Sequence, residues 1–281
     1  MFSFILFADD SNLFISHNDI EVLFNIVNSE LTCIAHWIKA NKLSLNIQKT
    51  NYMLFSNTIT PISTDIFDNS PISRVNCTKF LGIFIDDKLS WNQHVNYICN
   101  LISRNVGILN KLKYIFPSHI LYNVYNALIL PHISYGILAW GKAADSLLNR
   151  ILLLQKRSLR IIEHADPRAH ADPLFFDKKI LKVKDMYFLQ LGIFMYQYYS
   201  SDLPNSFQSM FMTNKQIHSH DTRQSSKIHI PYCRTSLAQK FISYQGPISW
   251  NSLSTELRNL KSRASFKKNL KSVLLEKYSY S

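Results

Sequence analysis

Two adjacent carboxylates near the start of the chain are the residues best suited to chemistry. Asp9 and Asp10 lie between two apolar runs, in the stretch FILFADDSNLF over residues 4–14. Two neighbouring like charges are costly unless a cation lies between them, and Mg²⁺ prefers carboxylate oxygens. The pair therefore indicates a divalent-cation site, although turns also use Asp routinely. We predict that a second pair, Asp86 and Asp87, ends a strand and precedes a helix, whose dipole stabilises acidic side chains.

The net charge of +12 is divided unevenly along the chain. Residues 1–100 contain six Lys or Arg and nine Asp or Glu, a net charge of −3, so the remaining residues carry +15. This asymmetry is expected where one region binds a polyanion and another holds a cation, and a Lys-rich solvated surface is the alternative. The chain has six Gly and no GxGxxG or GxxxxGK motif, which argues against a Gly-rich phosphate loop.

Cysteine usage and hydropathy indicate the compartment. The four cysteines are far apart with no CxxC motif, which suits a reducing compartment. His218, His220, His229 and Cys233 match no compact zinc-finger spacing. No apolar run reaches the length of a membrane span, and the opening run stops at Asp9. We therefore expect an intracellular protein without a membrane partner, and no sequence feature separates nucleus from cytoplasm.

Local patterns predict a small α+β unit followed by helices. The runs on either side of Asp9 predict a β-hairpin with a polar tip. Asn18, with Glu21 three residues later, predicts a capping box at the start of a helix over residues 18–39. Alternating or apolar stretches predict strands over residues 43–47, 52–55 and 79–86. Helical periodicity predicts later helices over residues 94–115, 118–130, 144–163, 182–199 and 265–276. Residues 200–235 are polar and poorly periodic, which favours an extended or flexible connection.

Short motifs follow one another in a definite order along the chain. The first part contains FADD at residues 7–10, Trp37 with NKLSLNIQKT at 41–50, FLG at 80–82 and DDKLSWNQH at 86–94. The second part contains YG and WG within 135–141, LQKR at 154–157, PLF at 173–175 and WN at 250–251. In this order they resemble the C-terminal part of a reverse transcriptase from a non-LTR (LINE-like, jockey-type) retrotransposon. The resemblance covers nearly the whole chain.

The resemblance implies a fold and a division of the chain. The fold would be α+β, with a partial palm of β-hairpin, helix and strands over residues 1–90. A mainly helical thumb and connection would occupy residues 91–200. The C-terminal region, with a flexible segment and a terminal helix, would occupy residues 201–281.

The resemblance also implies a catalytic set. Asp9 would be the main ligand and Asp10 the supporting ligand of Mg²⁺ or Mn²⁺. Lys49 would lie near the incoming nucleotide, where a cation stabilises or protonates the leaving pyrophosphate. The alternative for Lys49 is an exposed surface cation.

Contacts with nucleic acid are implied at two further places. Primer or nucleotide contacts would involve Phe7, Ala8, Leu81 and Gly82, since a glycine does not obstruct the primer backbone. The alternative for Leu81-Gly82 is an ordinary core strand with a bulge. Phosphate contacts that do not depend on sequence would involve Lys156, Arg157 and Arg160, for which a solvated helix face is the alternative.

The implied function is metal-dependent nucleotidyl transfer to a primer 3′-OH, with an RNA template and a DNA primer as partners. Asp9 lies only eight residues after the first residue. We therefore expect the upstream palm strand with the third metal-ligand Asp, and the fingers, to be missing, so that this fragment is inactive alone. The alternative function is a non-catalytic, basic nucleic-acid-binding remnant, and a third is a degraded reading frame without a cellular role.

Overall fold

The computed structural model describes residues 2–8, 10–56, 66–67, 70–217 and 224–279. The chain divides into two compact units, Met1–Ser90 and Trp91–Ser281. The first unit contains small two-stranded sheets and a helix, and the second is mainly helical. The predicted α+β class is therefore confirmed. The division into palm, thumb and C-terminal region stays a prediction.

The first unit begins with an antiparallel hairpin and a long helix. Strands β1 (Ser3–Phe7) and β2 (Asp10–Phe14) form the hairpin, and helix α1 (Ile20–Ala40) follows. The N-cap of α1 is Asp19, whose carboxylate accepts two first-turn backbone N–H groups at 2.8 and 3.0 Å. The predicted cap at Asn18 is therefore wrong by one residue, because the carboxylate of Asp19 satisfies these N–H groups and also complements the helix dipole.

A small core joins α1 to the hairpin. Phe2, Leu31, Ala35 and Ile72 are buried together, and half-buried apolar side chains from α1 and β2 pack around them. They are the buried hydrophobic residues among the described part of this unit. Because stability scales with the apolar area removed from water, this small core contributes little to the free energy of unfolding of the first unit.

The remaining strands of the first unit are short. They are β3 (Asn51–Tyr52) paired in parallel with β6 (Ser73–Arg74), and the antiparallel pairs β4 (Ile66–Phe67) with β5 (Ser70–Pro71) and β7 (Cys77–Phe80) with β8 (Ile83–Asp86). The strand predicted over residues 43–47 is wrong, since the chain instead forms a 3₁₀ turn at Ile47–Lys49. The side chain of Asn46 accepts the Lys49 N–H at 3.3 Å, which favours this turn over an extended strand.

Asp86 of the second carboxylate pair ends a strand, as predicted, but it is not at the start of the helix. Asp86 is the last residue of β8 and is buried. Its carboxylate accepts the backbone N–H groups of Lys88 at 3.2 Å and Ser90 at 2.9 Å. It therefore holds the turn after the strand, and it does not cap the following helix, whose N-cap is Trp91.

Helices and helical turns build the second unit. They are α2 (Asn92–Leu112), α3 (Ser118–Leu128), α4 (Leu130–Ser134), α5 (Ile137–Trp140), α6 (Asp145–Ile162), α7 (Asp172–Asp177), α8 (Val183–Tyr199), α9 (Asn214–Ile217), α10 (Ile242–Ser252), α11 (Thr255–Arg258) and α12 (Arg263–Glu276). The long helices agree with the predicted periodic segments to within a few residues. In the described part of residues 200–241, short helical turns alternate with stretches that have no regular structure.

Helix α8 is central to the core of the second unit. It packs against α10 and α12, while α2 packs against α6. About half of the α8 residues are buried, as expected for a helix that is apolar on nearly all sides. At Gly192 a Cβ atom would lie 2.5 Å from Leu270 of α12, so the missing side chain allows these two helices to approach closely. Among the described residues, no helix combines the length and apolar character that crossing a bilayer requires.

Candidate functional site

The first hairpin ends in a tight turn between Phe7 and Asp10. Phe7 pairs with Asp10 across the hairpin, and Ala8 lies in the turn between them. Ala8 has a φ of 48°, the left-handed conformation that the tightest hairpin turns require. Asp10 is exposed as the first residue of β2, and Asp9 lies outside the described residues. The turn therefore brings Asp10 to the tip of the hairpin in contact with solvent.

The strand beside this tip is exposed. Leu6 is 69% and Phe7 is 58% exposed, so the side chains that precede the carboxylate pair are not buried. Phe4 and Ile5 are exposed as well, so apolar side chains project from both faces of β1. The physical reason is that the small core of this unit, among the described residues, includes no side chain of β1.

The Leu81-Gly82 pair forms a second tight turn. Phe80 pairs with Ile83, and the two turn residues have φ values of 46° and 83°. The single strand predicted over residues 79–86 is therefore wrong, because Gly82 tolerates a positive φ and allows the chain to reverse. The alternative of a bulged core strand does not describe this turn. Leu81 carries strain, since a left-handed conformation costs a non-glycine residue about 1–2 kcal/mol.

Lys49 lies on the surface of the same unit. It ends the 3₁₀ turn, and its side chain is exposed. Thr50 fixes this turn by donating its hydroxyl to the carbonyl of Asn46 at 2.9 Å. The role of Lys49 beside the carboxylate pair stays a prediction.

The carboxylate pair fits a hard divalent cation by donor type. Asp10 offers exposed carboxylate oxygens, which suit Mg²⁺ or Mn²⁺ better than a soft metal. Within the described ranges, no group of three or more His, Cys, Asp or Glu side chains could enclose an ion.

The predicted phosphate-binding residues lie on α6, but they have different environments. Arg157 is exposed, whereas Lys156 and Arg160 are half-buried. Arg160 donates to the carbonyl of Ala169 at 2.8 Å and so holds the loop after α6. Lys156 lies near enough to Asp172 to act on its charge. Burial alone would raise the pKa of Asp172, but the hydrogen bond and charge of Lys182, together with the charge of Lys156, hold that pKa below its ordinary value. Arg157 is thus the member of this set with the most exposed side chain.

Gln155, in the segment LQKR, is a polar residue that faces the core, and its hydrogen bonds explain why. Gln155 is fully buried. Its amide nitrogen donates to Tyr125 Oη at 3.3 Å and to the carbonyl of Leu181 at 3.2 Å. Its amide oxygen accepts the backbone N–H of Val183 at 2.9 Å. These bonds tie α6 to α3 and to the start of α8, and they fix the helix that presents Arg157.

A cluster of three lysines was not identified as a unit in the sequence. Lys179 follows α7, and Lys267 and Lys271 lie one turn apart on α12, against which α7 packs. Burial lowers the pKa of Lys271, and the charges of Lys267 and Lys179 lower it further. Because such mutual repulsion is relieved by a bound anion, this cluster is a second candidate for phosphate contact. The separation of Lys179 from α12 along the chain hid it from local patterns.

Comparison with known proteins identifies relatives of this chain. It is 26% identical to the RNA-directed DNA polymerase from mobile element jockey of Drosophila melanogaster, over 64% of this chain and 20% of the relative. It is 30% identical to the probable RNA-directed DNA polymerase from transposon BS of the same species, over 56% of this chain and 18% of the relative. The corresponding protein from transposon X-element is 25% identical over 54% of this chain and 17% of the relative.

These relatives are much longer than the region they share with this chain. The match spans about one-fifth of the length of each. No family model matches the chain, and no solved structure gives a significant match. Over more than half of its length, the chain is therefore similar to proteins named as RNA-directed DNA polymerases, or probable ones, from mobile element jockey and from transposons BS and X-element, as the resemblance of its motifs indicated.

Proposed function

We propose that this chain is part of an RNA-directed DNA polymerase of a non-LTR retrotransposon, which adds deoxynucleotides to a primer 3′-OH. The observation that carries the proposal is the similarity to three polymerases of this kind. Its partners would be an RNA template and a DNA primer, and its location would be intracellular. Because the chain spans only about one-fifth of these relatives, the activity of the whole protein comes to it as a proposal.

The first hairpin tip would hold the metal. Asp9 and Asp10 would bind the divalent cation, Mg²⁺ or Mn²⁺, and the exposure of Asp10 supports this role. When bound, such cations lower the barrier to in-line displacement at phosphorus by neutralising developing charge on the phosphate oxygens. The chain itself contributes the carboxylates, and the tight turn after Phe7 brings that of Asp10 to the tip of the hairpin.

Other residues of the first unit would contact substrate. Lys49 is exposed and would offer its ammonium group to the departing pyrophosphate. Phe7 and Ala8 would lie beside the nucleotide or primer, together with the turn at Leu81 and Gly82. The exposure of Phe7 and the absence of a Gly82 side chain support these contacts.

The second unit would bind the nucleic-acid backbone. Lys156, Arg157 and Arg160 carry positive charge on α6, and the three-lysine cluster of Lys179, Lys267 and Lys271 adds to it. The net charge of +15 over residues 101–281 supports an affinity that falls with salt, since each phosphate contact releases condensed counterions.

Binding of Mn²⁺ tests the metal site without requiring polymerase activity. The full chain is titrated with Mn²⁺, and water proton relaxation reports the bound ion. We expect the double variant Asp9→Asn, Asp10→Asn to lose the bound Mn²⁺, while Asp87→Asn, from the second carboxylate pair, keeps it. Equal Mn²⁺ binding by all three proteins would refute the assignment of the hairpin tip.

Salt dependence tests the nucleic-acid surface. We expect Arg157→Gln to lower the slope of log affinity against log salt for an RNA–DNA hybrid by about one. Lys184→Gln is the matched control, because Lys184 is already paired with Asp145 at 2.7 Å. Equal slopes for both variants would contradict the role of Arg157. The alternative function, a non-catalytic binding remnant, is favoured if hybrid binding survives the double Asp variant and the wild-type chain binds no Mn²⁺.

A further inference from the structure

The turn between α2 and α3 exposes an unusual group of large side chains. Tyr114 is 79%, Ile115 is 71% and Phe116 is 40% exposed. The backbone beneath them is fixed, because the N–H groups of Ile115 and Phe116 both donate to the carbonyl of Leu112 at 3.0 Å. Pro117 then begins α3 as its N-cap. The rings are therefore displayed by an ordered turn between two helices.

The surroundings of this turn are positively charged. Lys111 is exposed, and the ammonium group of Lys113 lies 4.9 Å from the centre of the Tyr114 ring. The sequence contains no Asp or Glu between Asp87 and Asp145, so α2, α3 and the turn carry no acidic side chain. A ligand that combines negative charge with flat apolar groups would complement this surface.

We infer that Tyr114 and Phe116, flanked by Lys111 and Lys113, form a stacking platform for unpaired bases of single-stranded nucleic acid. The lysines contact phosphates, and the rings stack on bases without selecting a sequence, because every base has a π-face. This inference rests on the proposed function and adds to it. It assigns contacts with bases to the turn between α2 and α3, whereas the proposed contacts of α6 are with phosphates.

A membrane surface is the main competing ligand for a basic and aromatic turn. The apolar group here consists of three side chains, Tyr114, Ile115 and Phe116, at the end of a helix pair, which offers little area for insertion into lipid. The similarity to RNA-directed DNA polymerases favours a ligand with both phosphates and bases. The nucleic-acid ligand is therefore the one that we propose.

The experiment compares two strands with equal charge. The full chain is titrated with a fluorescein-labelled adenosine 12-mer and with an abasic 12-mer, and anisotropy reports binding. We expect wild-type protein to prefer the adenosine strand. The double variant Tyr114→Ala, Phe116→Ala should bind that strand at least about tenfold more weakly, since stacking is worth about 1–3 kcal/mol per base. Its residual binding should be equal for both strands and sensitive to salt.

Tyr232→Ala is the control, because this tyrosine is 91% exposed and is not part of the turn between α2 and α3. It should leave the preference unchanged. If wild-type protein and the double variant bind both strands equally, the proposed backbone binding stands and the stacking platform is refuted. If wild-type protein binds neither strand, the proposed function fails together with this inference. Binding to phosphatidylserine vesicles that requires Tyr114, without preference between the strands, would also overturn it in favour of a membrane ligand.

Discussion

Replacing Gln155 by Leu tests whether one buried amide holds the cationic helix α6 in place. The substitution keeps similar volume but removes all three hydrogen bonds of the side chain. It leaves the N–H of Val183 and the carbonyl of Leu181 without this partner in the core. The hydroxyl of Tyr125 loses the hydrogen bond that it accepts from the Gln155 amide.

The magnitude follows from these groups. An unsatisfied buried backbone group costs about 1–3 kcal/mol, so two of them cost about 2–6 kcal/mol. Burial of the leucine side chain offsets about 1–2 kcal/mol of this loss. We therefore expect the free energy of unfolding to fall by about 3 kcal/mol, which lowers the midpoint temperature by about 6–12 °C for a unit of this size.

Urea unfolding measures this change. Trp140 and Trp250 are buried in the second unit, so their fluorescence reports its unfolding. The control is Tyr125→Phe, which removes only the hydroxyl that accepts from Gln155 at 3.3 Å and should cost about 1 kcal/mol. A Gln155→Leu protein within about 0.5 kcal/mol of wild type, the range of neutral surface substitutions, would refute the structural role assigned to the amide.

Two further predictions concern the second unit. Gly141→Ala should lower the free energy of unfolding by about 1–3 kcal/mol, because its Cβ would lie 2.5 Å from the ring of Tyr187. Gly107→Ala, where a Cβ would meet no atom within 4 Å, should raise the free energy of unfolding by about 0.5–1 kcal/mol. Urea midpoints of the two variants that shift in the same direction would contradict these predictions. Burial lowers the pKa of His94 to about 4, whereas an unfolded histidine titrates near pH 6.5. As the pH falls from about 6.5 to about 4, protons bind the unfolded chain first, so the contribution of His94 to the free energy of unfolding should decline over that range and then level off. Calorimetry over this range checks it, and a His94→Gln protein with the same decline would contradict the assignment.

Local patterns predicted most of the long helices. Helix α1 was expected over residues 18–39 and is observed at Ile20–Ala40. The terminal helix was expected from residue 265 and begins at Arg263. Both agree because an apolar face repeats at helical spacing in these segments, and burial of that face is what stabilises a helix in a folded protein.

Local patterns failed where one residue or one distant contact decides the structure. The hairpin tip at Gly82 looked like part of a continuous strand, because its neighbours all favour strands. The 3₁₀ turn before Thr50 depends on a side-chain bond from Asn46, which competes with strand pairing. The approach of Lys179 to Lys271 depends on tertiary packing of α7 on α12. No periodicity within a short window contains such information.

The candidate residues of the first unit coincide with backbone strain. Ala8 and Leu81 are each the first residue of a two-residue hairpin turn, with φ values of 48° and 46°. Lys42 and Leu89 in the same unit also have a positive φ, and Lys42 follows the end of a helix, where this conformation is common. A left-handed residue costs about 1–2 kcal/mol, in a unit with a small core. The tightest hairpin turns require this conformation, so the strain at Ala8 and Leu81 follows from the turns themselves. The family resemblance assigns metal and primer contacts to the same two turns, and that assignment stays a prediction.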